Sequence, residues 1–283
     1  MSADTTNLSY KSYFKEFIDF SELYYDNDFR KVESWQICAF VAYLHHFKKN
    51  SVSTLRSKLS ALSYVFKTVW NYNPTKGNNV ENMLRGYSKC GPPQLSRLPI
   101  NSKILHKLLI AVEDKREKIY KHAFHILYFA MYGLGLRISE VCDYSLLFKH
   151  AIQFENLVLE NNTLSAKLMS SKHSSKPTTF QIKVDDKFCM HFKAYTEIRG
   201  NRPGNFFVHL NGKPFNRTFV ANQLKSDIKK IGLDEKQFNC HSFRIGRATD
   251  MGIEGFSSSQ ISLLGRWQSN AYLRYLKPTT IKV

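Results

Sequence analysis

The chain has 283 residues, 43% of them hydrophobic and 14% aromatic, which is enough apolar material for one large core or two ordinary ones and excludes a disordered or low-complexity protein. Lys and Arg number 41 against 23 Asp and Glu, a formal charge of +18. Self-repulsion of that size is tolerable when a polyanion is the usual partner, which puts nucleic acid first and an anionic membrane surface second. The most apolar stretch, 123–136, is interrupted by His125, Tyr128, Tyr132 and Gly133. It is also shorter than the roughly 18–20 residues of a bilayer span, so no membrane partner is expected. The opening MSADTTNLSYKSYF lacks the charged start and apolar run of a secretory signal, and Cys38, Cys90, Cys142, Cys189 and Cys240 form no C-x-x-C pair. An intracellular location, free thiols and no metal are expected.

In chain order, helical signals come first. A helix is expected within 10–25, and a second over 34–47 (SWQICAFVAYLHHF) with Ser34 as its N-cap. From Ser51 to Trp70 the residues Leu55, Leu59, Leu62, Val65, Phe66 and Val69 recur at three- and four-residue spacing, one stripe of an amphipathic helix. Arg56, Lys58 and Lys67 fall away from that stripe and are expected on a basic outer face suited to a phosphate backbone. A fourth helix is expected over 79–87. Together these predict a small helical domain over 1–91. The segment KCGPPQLSRLPIN, with Pro92 and Pro93, has no apolar period and reads as a linker over 92–99.

The remainder, 100–283, mixes element types. Helices are expected over 102–112 and 115–132, with another starting at Ile138. Short β-prone runs over 154–159, 163–169 and 178–184, separated by Asn-Asn and by SSKHSSKP, predict a small antiparallel meander. Helical signals return over 188–198 and 217–231 and after His241. The fold class expected is mostly α (α+β), with one small antiparallel sheet.

Three segments carry chemistry: Gly135-Leu136-Arg137-Ile138-Ser139-Glu140, then His241-Ser242-Phe243-Arg244, then Leu263-Leu264-Gly265-Arg266-Trp267 followed by Tyr272 and Tyr275. Each alone is weak, since H-x-x-R is common and a helix-flanking Arg-Glu pair is usually a surface ion pair. Their order and their position behind a helical basic domain are not. Breaking a DNA phosphodiester without metal needs a nucleophile, cations on the non-bridging oxygens and a proton for the leaving 5′ oxygen. Arginines suit the second task because a planar guanidinium matches two phosphate oxygens and stays charged. His241 lies one helical turn from Arg244, so the two share a face.

On these residues the sequence resembles the tyrosine recombinase (phage integrase) family, from about residue 30 to the end and most sharply over 134–275. Within it, the Gly-Arg-Trp ending, followed by S-x-A and a tyrosine, looks most like the recombinases of eukaryotic mobile elements, the Crypton and DIRS types. The resemblance implies a SAM-like helical core-binding domain and a mixed α/β catalytic domain. It implies a site-specific recombinase or integrase that cleaves and rejoins double-stranded DNA through a 3′-phosphotyrosyl intermediate, without cofactor, metal or ATP. A tetramer of protomers on two duplexes, and a nuclear location if the host is eukaryotic, are implied with it.

The resemblance assigns Arg137, Arg244 and His241 to the catalytic set and puts Trp267 where many members carry a second His. An indole N–H can donate to phosphate but cannot shuttle a proton. Tyr275, eight residues on, fits the family spacing for the nucleophile, and Tyr272 is expected to pack or to touch DNA. The family's general acid is a Lys on the hairpin between the second and third strands. Lys172 fits that position, Lys176 competes, and Lys167 is an outside candidate. Glu140 is expected to hold an active-site Arg or His from behind, because a carboxylate aimed at phosphate would repel it. Arg247 and Arg266 are expected to be phosphate contacts or surface charges. Two other readings remain: a type IB topoisomerase with the same chemistry in one duplex, and a DNA-binding relative that has lost catalysis.

Overall fold

The computed structural model describes residues 3–25, 31–90, 97–142, 151–169, 176–267 and 272–273. The chain divides into two compact units, Met1–Gln94 and Leu95–Val283.

The first unit is helical: α1 (Ala3–Tyr24), α2 (Ser34–His46), α3 (Val52–Trp70) and α4 (Asn78–Cys90). Its core is aromatic, with Phe17, Phe40 and Phe66 fully buried among Ile37, Leu55, Leu62 and Leu84. Phe17 meets the rings of Phe40 and Phe66 edge-on at 5.2 and 5.9 Å, the geometry that ring quadrupoles favour. Ser51 caps α3, accepting from the Thr54 amide at 3.3 Å.

Three expectations for this unit need correction. Ser34 is the first helical residue of α2, and Glu33 is its cap: the Glu33 amide donates to Gln36 Oε1 at 2.7 Å in a reciprocal capping arrangement. Val69 at the end of the α3 stripe is exposed, although the core still reaches this turn of the helix through the next residue, Trp70, whose ring packs on Phe14 and Phe66. Lys58 is buried, its ammonium paired with Glu16 on α1. Its long apolar stem packs inside while its charge finds an internal partner, so Lys58 is not on the basic outer face. Arg56 and Lys67 are exposed as expected, Arg56 forking onto Glu81 with both contacts at 3.2 Å.

The second unit is built around α6 (Lys118–Gly133), which is buried on most of its circumference and packs against α5 (Ser102–Ala111), α8 (Asp186–Arg199) and α10 (His241–Ile253). A short helix α7 (Ile138–Val141) follows α6. Then come strands β1 (Leu157–Glu160), β2 (Thr163–Leu168) and β3 (Thr178–Lys183), an antiparallel sheet in the order β1-β2-β3. Asn161 and Asn162, both left-handed at φ 46° and 53°, close the first hairpin in the two-residue manner that matches strand twist. Residues 154–156, expected as strand, form a turn of 3-10 helix instead. Helices α9 (Arg217–Lys230) and α11 (Ser258–Gly265) complete the unit. The fold is therefore mostly helical with one small antiparallel sheet.

One buried charge in this unit is fully paired. Asp227 accepts from Lys115 at 2.8 Å, from the Tyr128 hydroxyl at 2.7 Å and from Gln223 at 3.0 Å, which ties the end of α5, α6 and α9 together. A buried carboxylate satisfied on every side is what permits a charge inside a core. All five cysteines are free thiols. Among the described residues no helix is long and apolar enough to cross a membrane.

Candidate active site

Helix α10 is held at a defined height by the extended segment before α5. The Leu98 amide donates to Gln237 O and the Ile100 amide to Ser242 O, both at 2.9 Å. Gly246 permits this approach, since a Cβ there would lie 1.8 Å from the Ile100 carbonyl oxygen. One turn on, Asp250 accepts from the Ser102 amide at 2.7 Å and from the Tyr132 hydroxyl. These anchors fix the first turns of α10, where His241 and Arg244 project. Arg244 is 2% exposed, an extreme value for a guanidinium. It reaches the Gly135 carbonyl at 3.4 Å, and its Cζ lies 4.6 Å over the Trp267 ring.

Gly135 comes from the other side of the site. The chain leaves α6 through it at φ +56°, a left-handed turn that glycine adopts without Cβ strain. Its carbonyl also accepts from Arg266 Nη2 at 2.9 Å, so one oxygen serves two arginines that lie more than a hundred residues away. Arg137 then starts α7, and its amide donates to Glu140 Oε2 at 2.7 Å. Its Nη1 meets Glu140 Oε1 at 2.9 Å. Arg266 Nη2 lies 2.7 Å from Glu140 Oε2. The buried Glu140 carboxylate thus holds two guanidinium groups at once.

The Leu-Gly-Arg-Trp segment closes the site by a steric device. A Cβ on Gly265 would sit 1.8 Å from Trp267 Cζ3, so only glycine lets the indole fold back over the end of α11. Arg266 between them takes a left-handed conformation, φ 52°, and turns its side chain inward. Its Cζ lies 4.9 Å over the Phe180 ring of β3. Its Nε and Nη1 are buried without a hydrogen-bond partner among the described residues. Burial, seconded by the Arg137 charge and opposed by Glu140, pulls the Arg266 pKa below its ordinary value. Two guanidinium groups on one carboxylate, with a third, Arg244, sharing the Gly135 carbonyl with Arg266, leave surplus positive charge and unused donors, a complement to an anion. Sequence reasoning took Arg266 for a phosphate contact or surface charge. Its place inside the arginine cluster is legible only as its position beside Gly265, the residue that bends the chain back.

His241 stands at the first turn of α10, still reached by solvent. Desolvation, then the Arg244 and Arg137 charges, push its imidazole down to about 4, so it is neutral at pH 7. That neutral ring can accept a proton or donate one hydrogen bond to phosphate. Tyr272 is 3% exposed and packs with Met251 and Ile261, its ring 6.0 Å from that of Trp267. It is a core residue. Arg247 lies beside Tyr132 at 5.6 Å and Glu254 at 3.6 Å, at the margin of the cluster. Lys167 on β2 and Lys176 just before β3 are exposed. Tyr275 and Lys172 lie outside the described residues.

The phage integrase family profile matches residues 100–277. No curated protein sequence matches the chain. Among solved structures, the XerH site-specific recombinase bound to palindromic difH substrate in a post-cleavage complex is similar at a TM-score of 0.71 and 14% identity, over 92% of this chain and 72% of that one. The Tn1549 transposon integrase in complex with circular intermediate DNA is similar at 0.63 and 16%, over 89% and 83%. A lambda integrase dimer bound to a COC′ core site is similar at 0.63 and 15%, over 98% and 73%. At such identities the likeness is one of fold.

Proposed function

Because this chain belongs to the phage integrase (tyrosine recombinase) family, we propose that it is a site-specific DNA recombinase that breaks and rejoins double-stranded DNA through Tyr275. The observation that carries this reading is the convergence of Arg137, Arg244 and Arg266 from distant segments, with His241 beside them under the field of two.

In the proposed reaction a scissile phosphate enters this cationic cluster. Arg137 and Arg244 neutralise its non-bridging oxygens, and the charge that builds as phosphorus becomes five-coordinate. The Tyr275 oxygen bonds to phosphorus while the bond from phosphorus to the 5′ oxygen breaks. The phenol proton passes to His241, whose ring is neutral and able to accept it. Trp267 donates its indole N–H or walls the pocket. The departing 5′ oxygen takes a proton from Lys172 or Lys176 and leaves as a hydroxyl. A 5′-hydroxyl from a second strand then attacks the phosphotyrosyl ester, and the same steps run in reverse. One phosphoester replaces another of similar energy, so the cycle balances without ATP.

Double-stranded DNA as the substrate is supported by the +18 charge and by the DNA-bound state of the similar structures. The finer reading is a mobile-element recombinase of Crypton or DIRS type, acting as a tetramer on two duplexes. The Gly265-Arg266-Trp267 ending supports it. The test is a nicked suicide duplex carrying the element's own termini, which traps the covalent complex. A tyrosyl adduct mapping to Tyr275, absent in Tyr275→Phe with DNA binding retained, is the expected result. An adduct at Tyr272, or none on any cognate duplex, would overturn the reading. Relaxation of a supercoiled plasmid lacking a specific site would move it to a topoisomerase.

A further inference from the structure

On the second unit, a cluster separate from the arginine site gathers groups that the proposed chemistry does not use. Glu113 lies in the 3-10 turn after α5, His125 in the middle of α6 and His191 in the middle of α8. Each offers one ligand atom, and the three atoms lie within 4.8 Å of one another. His191 Nε2 is 3.1 Å from Glu113 Oε1, and His125 Nδ1 is 4.0 Å from that same oxygen. Ligands on a tetrahedral cation with bonds of about 2.0–2.2 Å stand about 3.3 Å apart, so the first edge already fits, whereas the His125 and His191 rings lie stacked at 3.8 Å and 9° with their in-plane lone pairs parallel, and His125 must rotate out of that stack to aim Nδ1 at the same cation. The His χ2 torsion is soft enough to allow that rotation.

A second observation points the same way. His125 is 2% exposed and its Nδ1 is buried with no hydrogen-bond partner among the described residues. A buried nitrogen without a partner has lost its hydration with no return, and a cation would satisfy it. The outer contacts are also in place. His122 Nδ1 meets His191 Nδ1 at 2.9 Å, at the ring nitrogen opposite the one that faces Glu113. With Nε2 given to a cation, His191 keeps its proton on Nδ1 and donates it to His122, the outer hydrogen bond that orients metal-bound imidazoles.

We propose that Glu113, His125 and His191 form a binding site for a divalent cation of the zinc type, with solvent as the remaining ligand. Two imidazoles and a carboxylate are the donor set such an ion prefers, and too nitrogen-rich for magnesium or calcium. The cation would brace α8 and the end of α5 against α6. It would act about 15 Å along α6 from Gly135, outside the phosphate pocket and independent of recombination. Two lysines compete for the carboxylate: Lys187 holds Oε1 at 3.0 Å and Lys121 holds Oε2 at 2.7 Å. Lys187 is half exposed and free to swing into solvent when the cation takes Oε1, while Lys121 can stay.

The test uses the full chain, stripped with chelator and titrated with Co2+ and then Zn2+. One Co2+ per chain with the strong visible bands of a low-coordinate site, displaced by Zn2+, is expected, and Zn2+ should raise the melting midpoint. His122→Ala should weaken Zn2+ binding about 10–100-fold, and His125→Ala or His191→Ala by more. Lys187→Met should tighten it by removing the competitor. Glu113→Gln, nearly isosteric, covers the case in which a histidine variant fails to fold. Absence of stoichiometric binding by the wild-type chain, or binding unchanged in Glu113→Gln and Lys187→Met, would overturn the proposal.

Discussion

The carboxylate of Glu140 and the guanidinium of Arg266, 126 residues apart in the chain, meet at 2.7 Å. Because the other Glu140 oxygen holds Arg137 at 2.9 Å, this one acid sets the spacing of two cations that belong to different motifs. Its removal should therefore leave like charges facing each other in a buried space. Glu140→Ala is expected to lower unfolding stability by about 3 kcal/mol in urea titrations, the cost of stripping one partner from a buried ion pair. DNA cleavage should fall further than DNA affinity, since positioning is lost and net positive charge is gained. Unchanged stability would mean the two arginines do not depend on this acid.

Helix α10 depends on a missing side chain. Gly246→Ala would drive a methyl group to within 1.8 Å of the Ile100 carbonyl oxygen, a backbone atom that cannot rotate away. A loss on the order of 3 kcal/mol is expected, read as a drop in the urea midpoint with an unchanged m-value. Gly86→Ala on α4, where a Cβ would meet nothing within 4 Å, serves as the control and should be neutral or slightly stabilising.

The pH dependence follows from His241. Its folded pKa of about 4 lies below the ordinary 6.5, so between those values the unfolded chain binds a proton that the folded chain does not. Its contribution to stability is therefore complete above pH 6.5 and declines as pH falls toward 4. His241→Gln should flatten the stability profile in that window. In NMR titrations the His241 pKa should rise in Arg137→Gln, and rise again when a DNA phosphate offsets the guanidinium charges. A pKa that does not move in either case would remove His241 from the arginine field.

The two α3 lysines should separate charge from packing. Lys67→Ala is expected to reduce the slope of log affinity against log salt by about 1 if that residue meets a phosphate, with stability unaffected. Lys58→Ala should do the opposite, lowering stability through the exposed cavity and the abandoned Glu16 while leaving the salt slope alone. The reverse pattern would restore Lys58 to the outer face.

Much of this fold was legible from residue spacing. The α3 stripe, the Asn161-Asn162 hairpin and the helices around the sheet follow from local periodicity and turn chemistry, and the structure has them close to where they were expected. What was misread shares one cause. Lys58 and Val69 were assigned by their position around an ideal helix, but burial depends on what another element brings against that face: α1 covers Lys58 with a carboxylate, and nothing covers Val69. Ser34 suits a cap by residue type, but the same dependence on context puts the helix entry one residue earlier, at Glu33.

The sequence by itself supplied the candidates for the site. Arg137, His241, Arg244 and Trp267 are named by short motifs whose residue types suit a phosphate, and motif order survives without coordinates. Tertiary structure alone decided how those groups share partners: the Gly135 carbonyl between Arg244 and Arg266, the Glu140 carboxylate between Arg137 and Arg266, and the Glu113, His125 and His191 cluster elsewhere on the unit. The physical reason is range. Periodicity and turn chemistry act over a few residues, whereas a hydrogen bond or ion pair acts over about 3 Å of space and is indifferent to how much chain lies between its ends.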